Sequence, residues 1–455
     1  MRPDWVIGTM TQAPDPSIWR RIYDVLRRGN DVHLAIAMLH LFTLPLATAP
    51  SAVTLIMLLV YSTIRLHDTH KSYDRFFAQP MPWAFAAWAA WIAVTIAWSV
   101  DPSEGREELG TMRYALLLFA LWPLRDRTSW LIGAALMGVA AQNLAQLLEA
   151  LDWVNVRPQD ARSFRVGGLI HPIQTGMWCV AALCWYASAI LMSRKHLPLL
   201  LIGAGAAAAG LFVSGSRGPW LAGVVTLPLF VLVAAIAVPA ARRRALLLTV
   251  VVVIVGAIAS ALPAVRGAVE ERVDSAVQEY RAAVDDQAYG NAVGLRVGLA
   301  GWARQIGAER PLFGQGAGSF ETHLAELPDF QAAVDRITIT EKEKAKGSEP
   351  LRKKVREREK KRLERKQDFI RRAHAHNSAL HLYATTGLIG VALAGSLLLI
   401  IFVGAWRNRA SGLFEAGTPF VVIAWLIGTQ FDTFHLNGHL FGLICLCAAL
   451  AMRRR

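Results

Sequence analysis

Residues 387–405 read Gly387-Leu-Ile-Gly-Val-Ala-Leu-Ala-Gly-Ser-Leu-Leu-Leu-Ile-Ile-Phe-Val-Gly-Ala405, a run without one charged side chain. Its apolar residues are continuous and do not alternate, so a bilayer would satisfy this backbone as a helix and not as a barrel strand. Extended back to Asn377, the run predicts a span over 377–405. Working outward, similar runs occupy 34–48, 50–66, 82–99, 111–124, 129–150, 175–192, 197–213, 219–239 and 245–262 before it, and 417–432 and 437–452 after it. The expected fold class is therefore an all-α polytopic membrane protein with about twelve transmembrane helices. Composition agrees. The 455 residues are 54% hydrophobic and 18% charged, where a soluble domain carries about a quarter charged residues.

Charge fixes the expected orientation. Arg20, Arg21, Arg27 and Arg28 precede the first span, and Arg125 and Arg127 follow the fourth. Arg194-Lys195-His196, Arg242-Arg243-Arg244, Arg407 with Arg409, and Arg453-Arg454-Arg455 complete the set. With this span order every cluster falls on one side, which the positive-inside rule makes cytoplasmic, with both termini inside. The net charge of +14 is thus explained largely by topology, and no nucleic-acid partner is expected. Cys179, Cys184, Cys445 and Cys447 lie within apolar runs and read as buried small hydrophobes. The N-terminus is polar, with its first apolar run after Asp31, so no cleavable signal peptide is expected.

Three regions follow: 1–262, nine spans with short loops; 263–376, a large polar helical segment on the outer side; and 377–455, the last three spans. Within the middle region, Val265–Ala288 has apolar positions at helical spacing. From Glu341 to Arg372 there are fifteen Lys or Arg against seven Asp or Glu, entered through Ser348-Glu349-Pro350. That stretch is either a solvated helix or a surface for anionic headgroups.

The motifs of nucleotide-driven chemistry are absent: there is no P-loop, no Gly-x-Gly-x-x-Gly opening a helix and no His-Glu-x-x-His. What stands out is a set of cations facing outward. Arg217 sits in Val213-Ser-Gly-Ser-Arg-Gly-Pro-Trp220, between two spans. A guanidinium at the membrane edge needs a partner or a wet cavity, and its planar fork suits phosphate; the bland reading is a snorkelling side chain. Arg162 and Arg165 precede His171-Pro172, and Arg296 precedes Pro311-Leu-Phe-Gly-Gln-Gly-Ala-Gly318, a run that reads either as a turn or as an anion cradle. His374-Ala-His376-Asn377 stands at the outer mouth of the tenth span. A histidine there serves as a base if neighbouring arginines keep it neutral, and is otherwise structural. Asn143, Gln146 and Glu149 form a polar stripe that either lines a sugar path or bonds adjacent helices. His435 and His439 have a metal-like spacing, with Asp432 as the one nearby third ligand.

The His376-Asn377 pair, followed after nine intervening residues by Gly387-Leu-Ile-Gly390, resembles the histidine motif of O-antigen ligases. The Ser216-Arg217-Gly218 turn and Arg296 ahead of the glycine-rich run are similar to two further signatures of the O-antigen polymerase and ligase superfamily. The basic stretch before His374 departs from that pattern. The resemblance implies a GT-C-like glycosyltransferase of the bacterial inner membrane that needs no metal, nucleotide or other cofactor. It would move a polysaccharide from undecaprenyl diphosphate to a lipid A–core hydroxyl on the periplasmic face. His376 would be the base, Arg217, Arg296 and Arg165 would hold the diphosphate, and Arg162, Asn377 and His374 would be secondary. Two alternatives stay open: a polymerase or protein O-oligosaccharyltransferase of the same superfamily, or a transporter of lipid-linked glycan without chemistry.

Overall fold

The structure is a computed structural model that describes residues 29–153, 166–193, 196–237, 242–250, 261–336 and 374–452. Among these residues there are helices and turns but no strands. The first half contains α1 Gly29–Thr43, α2 Thr48–Ile64, α3 Leu66–Phe77, α4 Pro80–Thr95, α5 Pro102–Thr111, α6 Leu116–Leu121 and α7 Thr128–Ala150. There follow α8 Pro172–Met192, α9 Leu197–Val213, α10 Arg217–Ala237 and α11 at 242–250. The outer segment contributes α12 Pro263–Asp285, α13 Ala292–Glu309, α14 Phe320–Glu326 and α15 at 328–336. Last come α16 Ser378–Arg407, α17 Thr418–Gly428 and α18 Gly438–Ala451.

Among the described residues, five helical stretches are long and apolar enough to cross a membrane, or up to six if the bent pair α2–α3 is one span. α9, α18 and the Glu415–Gly428 helix are apolar but shorter. A polytopic membrane protein is supported, therefore, while the expected twelve full-length spans are met only in part. The expected fourth span departs furthest. It begins as α5, capped by Asp101 accepting from Ser103 and Glu104 N–H at 3.1 Å each, and continues through two 3-10 turns around α6, one of them carrying Pro123. α3 lies between the expected spans 50–66 and 82–99. It turns 96° from α2, exposing His67, Asp68, His70 and Lys71 while burying Tyr73 and Phe76.

Contacts gather the described basic clusters at one end. Arg244 donates to Leu191 O at 2.8 Å, Asn408 to Ala451 O at 2.9 Å, and Ser188 to Leu413 O at 2.9 Å, while Thr128 bonds Glu415. The polar stripe of α7 bonds its neighbours: Gln146 donates to Val166 O and Gly210 O, Asn143 to Ala206 O, and Glu149 accepts from Gly168 N–H. All four cysteines are buried and free.

The outer segment has its own apolar cluster, with Leu299, Trp302, Ile306, Phe320 and Phe330. Its attachment to the spans depends on a break in α16 at Gly387, where φ is 69° and ψ is −172°. The broken turn frees backbone groups, and the 311–316 loop satisfies them from both sides. Leu388 N–H donates to Pro311 O at 2.8 Å and Ile389 N–H to Leu312 O at 3.3 Å. In return Gln315 N–H donates to Ala384 O at 2.9 Å and Gly316 N–H to Thr385 O at 2.8 Å. The glycine-rich run is thus a splice, and the amides of Gln315 and Gly316 are spent on α16 carbonyls instead of cradling an anion. A Cβ on Gly387 would collide with the Leu312 carbonyl and force a left-handed φ on an L side chain. Gly387→Ala should therefore cost about 1–3 kcal/mol or more. Its thermal midpoint in detergent should fall clearly below that of Gly395→Ala, whose added methyl meets nothing within 4 Å. Equal midpoints would contradict the splice.

Candidate functional site

Two turns meet at the start of α16. One, residues 374–378, leads into α16; the other, 429–434, joins α17 to α18. They are laced by Ser378, whose N–H donates to Thr429 O at 2.9 Å and whose hydroxyl donates to Asp432 O and accepts from Phe434 N–H at 3.0 Å. Asn377 caps α16 by accepting from Leu380 N–H at 3.0 Å, and its amide donates to Gln430 Oε1 at 3.2 Å. Its role in the geometry is to hold the turn. His376 itself has φ 46°, an uncommon left-handed conformation for a side chain of this size.

That backbone presents the His376 ring to Asp432, with Nδ1 3.1 Å from Oδ1. Burial pushes the Asp432 carboxyl up, but the His376 hydrogen bond and charge, the Thr433 N–H and the Arg296 guanidinium outweigh it and hold the pKa below the usual value. An ionised carboxylate only accepts, so Nδ1 carries the hydrogen, and in the neutral ring Nε2 is then the nitrogen that can accept. The group directly on the ring is thus a carboxylate, where the sequence suggested arginines.

The arginines stand one layer out. Arg296, on α13, donates through Nε to Phe431 O at 3.2 Å and through Nη1 to Ala292 O at 2.7 Å. Burial and the nearby Arg217 lower its pKa, and Asp432 and Glu279 oppose this. Arg217, at the start of α10, meets Glu279 at 3.4 Å and Ser275 Oγ at 3.1 Å, both on α12. Its Nε is buried without a hydrogen-bond partner among the described residues. Glu279 also accepts from Ser275 at 2.6 Å and from Val293 N–H at 3.0 Å, so one carboxylate ties α10, α12 and the start of α13 together. Arg162 and Arg165, like the basic 341–372 stretch, lie outside the described residues. Val166, next in sequence, donates to Val213 O at 3.2 Å, beside the Arg217 turn.

A second cluster lies behind His376. His381 bonds Glu108 at 3.1 Å and packs against His435 and His374, with ring centroids 5.5 and 5.9 Å away. His435 is buried with neither ring nitrogen bonded among the described residues, and burial, then His381 and His374, hold its pKa well below the usual value. His439 faces elsewhere, onto Thr48 and Leu44 O, so the spaced pair 435 and 439 does not converge on one metal.

Sequence reasoning found His376, Arg217 and Arg296, and the fold brings them together. It named Asp432 only as a metal ligand and missed Glu279, Glu108 and His381. No sequence pattern links residue 279 to 217, or 108 to 381.

Residues 198–341 match the family described as O-antigen ligase. The match supports membership in the O-antigen ligase and polymerase superfamily. It spans Arg217 and Arg296 and ends before His376. No curated protein matches the chain. That match over part of the chain, with several membrane-length helices, supports a membrane protein with activity of the O-antigen ligase or polymerase type in general, with polysaccharide and lipid-linked substrates.

Glu279→Ala would leave Arg217 and the Val293 N–H without their shared acceptor, a loss of about 1–3 kcal/mol. Amide exchange at Val293 and along the last turns of α12 should then speed up roughly tenfold or more, with α16 unchanged. Unaltered exchange at Val293 would show that Glu279 does not hold these elements.

Proposed function

We propose that the protein is an inverting glycosyltransferase of the O-antigen ligase type. It moves a polysaccharide from undecaprenyl diphosphate to a sugar hydroxyl of lipid A–core at the periplasmic face of the bacterial inner membrane. The observation that carries this reading is the His376–Asp432 pair standing beside Arg296, with Arg217 a short step further.

In this mechanism the acceptor hydroxyl donates to the free Nε2 of His376. As its oxygen attacks the anomeric carbon, the proton passes to Nε2, and Asp432 stabilises the imidazolium through Nδ1–H. The bond from the anomeric carbon to the diphosphate oxygen breaks on the opposite face. Its electron pair leaves with the diphosphate, and attack from the opposite face inverts the centre. The growing negative charge is met by Arg296 and Arg217, whose unbonded Nε offers one more donor, with Arg165 and Arg162 assigned to assist. Fixed guanidinium groups take the part that a divalent cation plays toward diphosphates elsewhere. The same arrangement suits a polymerase, which differs only in the acceptor.

Proteoliposomes holding lipid-linked glycan and lipid A–core test the reading. Wild type should glycosylate the core and keep its rate in EDTA. His376→Ala should lose about 100-fold or more, and Asp432→Asn about 10²–10⁴-fold, because the asparagine amide turns the ring to the wrong tautomer. Lengthening of the donor glycan with no transfer to core would replace the ligase reading with polymerase. EDTA-sensitive transfer would overturn the metal-free mechanism.

A further inference from the structure

On the outer flank of α4, away from His376, a groove of about 590 Å³ opens against the turn that ends α13. Trp91, Val94, Trp98, Leu312 and Phe313 line it, and Arg310 stands at its edge. It is a built surface. Trp91 Nε1 donates to Thr386 O at 2.9 Å and Trp98 Nε1 to Gly314 O at 3.3 Å, so both indole N–H groups are spent on backbone. Their rings and that of Phe313 lie 6.1–6.5 Å apart and offer hydrocarbon. Val94, Leu312 and Phe313 are each more than half exposed, as is usual where lipid covers them. The splice that closes the Gly387 break is what holds Leu312 and Phe313 here. Arg310 is exposed, and while its carbonyl accepts from Gly314 N–H at 2.8 Å, its guanidinium has no hydrogen bond or ion pair among the described residues. An aromatic apolar groove with one free guanidinium at its rim complements a hydrocarbon chain bearing a phosphate.

The position of the cation selects the occupant. Arg296 and Arg310 lie fourteen residues apart along and just beyond α13, so about 20 Å separates them. A donor carries its reacting carbon directly on the diphosphate, so its phosphates must sit beside His376, where Arg296 is. A phosphate held at Arg310 is too far from the base to belong to a donor. It fits a lipid whose phosphate is separated from the reacting hydroxyl by several sugars. We infer that this groove seats the acyl chains of a phosphorylated acceptor glycolipid, with Arg310 on its lipid phosphate. The assignment of that lipid as acceptor rests on the transferase reading.

Binding to purified protein tests this, using lipid A–core, its deacylated core oligosaccharide, and undecaprenyl diphosphate as probes. Wild type should prefer the acylated to the deacylated glycolipid. Arg310→Glu and Phe313→Ser should each weaken lipid A–core by about tenfold or more. Undecaprenyl diphosphate should bind both variants as it binds wild type, which also certifies their fold. Unchanged lipid A–core affinity, loss of undecaprenyl diphosphate binding, or no preference for acyl chains would each overturn the inference. Binding needs no turnover, so its outcome is independent of the transfer assay that decides the transferase reading.

Discussion

In a bilayer an unpaired amide or carbonyl has no water to turn to, so a broken span must find partners within the protein. α16 breaks at Gly387, and the partners are the carbonyls of Pro311 and Leu312 and the amides of Gln315 and Gly316. That exchange fastens the outer segment to the spans. It sets the end of α13 against α16, and through α13 it places Arg296 over Phe431. On the opposite side of the same loop it turns Leu312 and Phe313 outward beside Trp91 and Trp98. Both the cationic layer and the apolar groove therefore depend on one local break in a helix.

The site assembles opposite charges in alternating layers. Asp432 fixes the His376 ring, Arg296 neutralises Asp432 from outside, and Glu279 anchors Arg217 from α12. Each arginine has a carboxylate near it, so neither is an isolated charge at the membrane edge, yet the Arg217 Nε still lacks an acceptor. An arriving diphosphate would meet guanidinium groups already oriented, so little reorganisation remains for the reaction. The left-handed backbone of His376 is local strain of the kind found where a side chain must be aimed.

Much of this was legible in the sequence, for identifiable reasons. Continuous apolar runs such as 175–192 and 197–213 gave helices close to those expected, because hydrophobicity and length act locally. Arg217, Arg296 and His376 were legible because a charged or titratable group at a membrane boundary is costly and so conspicuous. The Asp432 partnership was not, since nothing local distinguishes a ring orienter from a metal ligand. α3 gives no span signal because its polar residues outnumber the Tyr73 and Phe76 face that holds it. The glycine-rich run reads as either a turn or an anion cradle because both demand the same glycines, as a splice does. Only the break at Gly387, distant in sequence, decides between them.

The central claim is that one diphosphate ester meets the two arginines and the His376–Asp432 pair together. A structure of the protein with an undecaprenyl-diphosphate-linked glycan bound tests it most directly. The account predicts the diphosphate between Arg217 and Arg296, with the anomeric carbon on the side where His376 Nε2 can reach an incoming hydroxyl. A diphosphate held elsewhere, with His376 remote from the sugar, would contradict it.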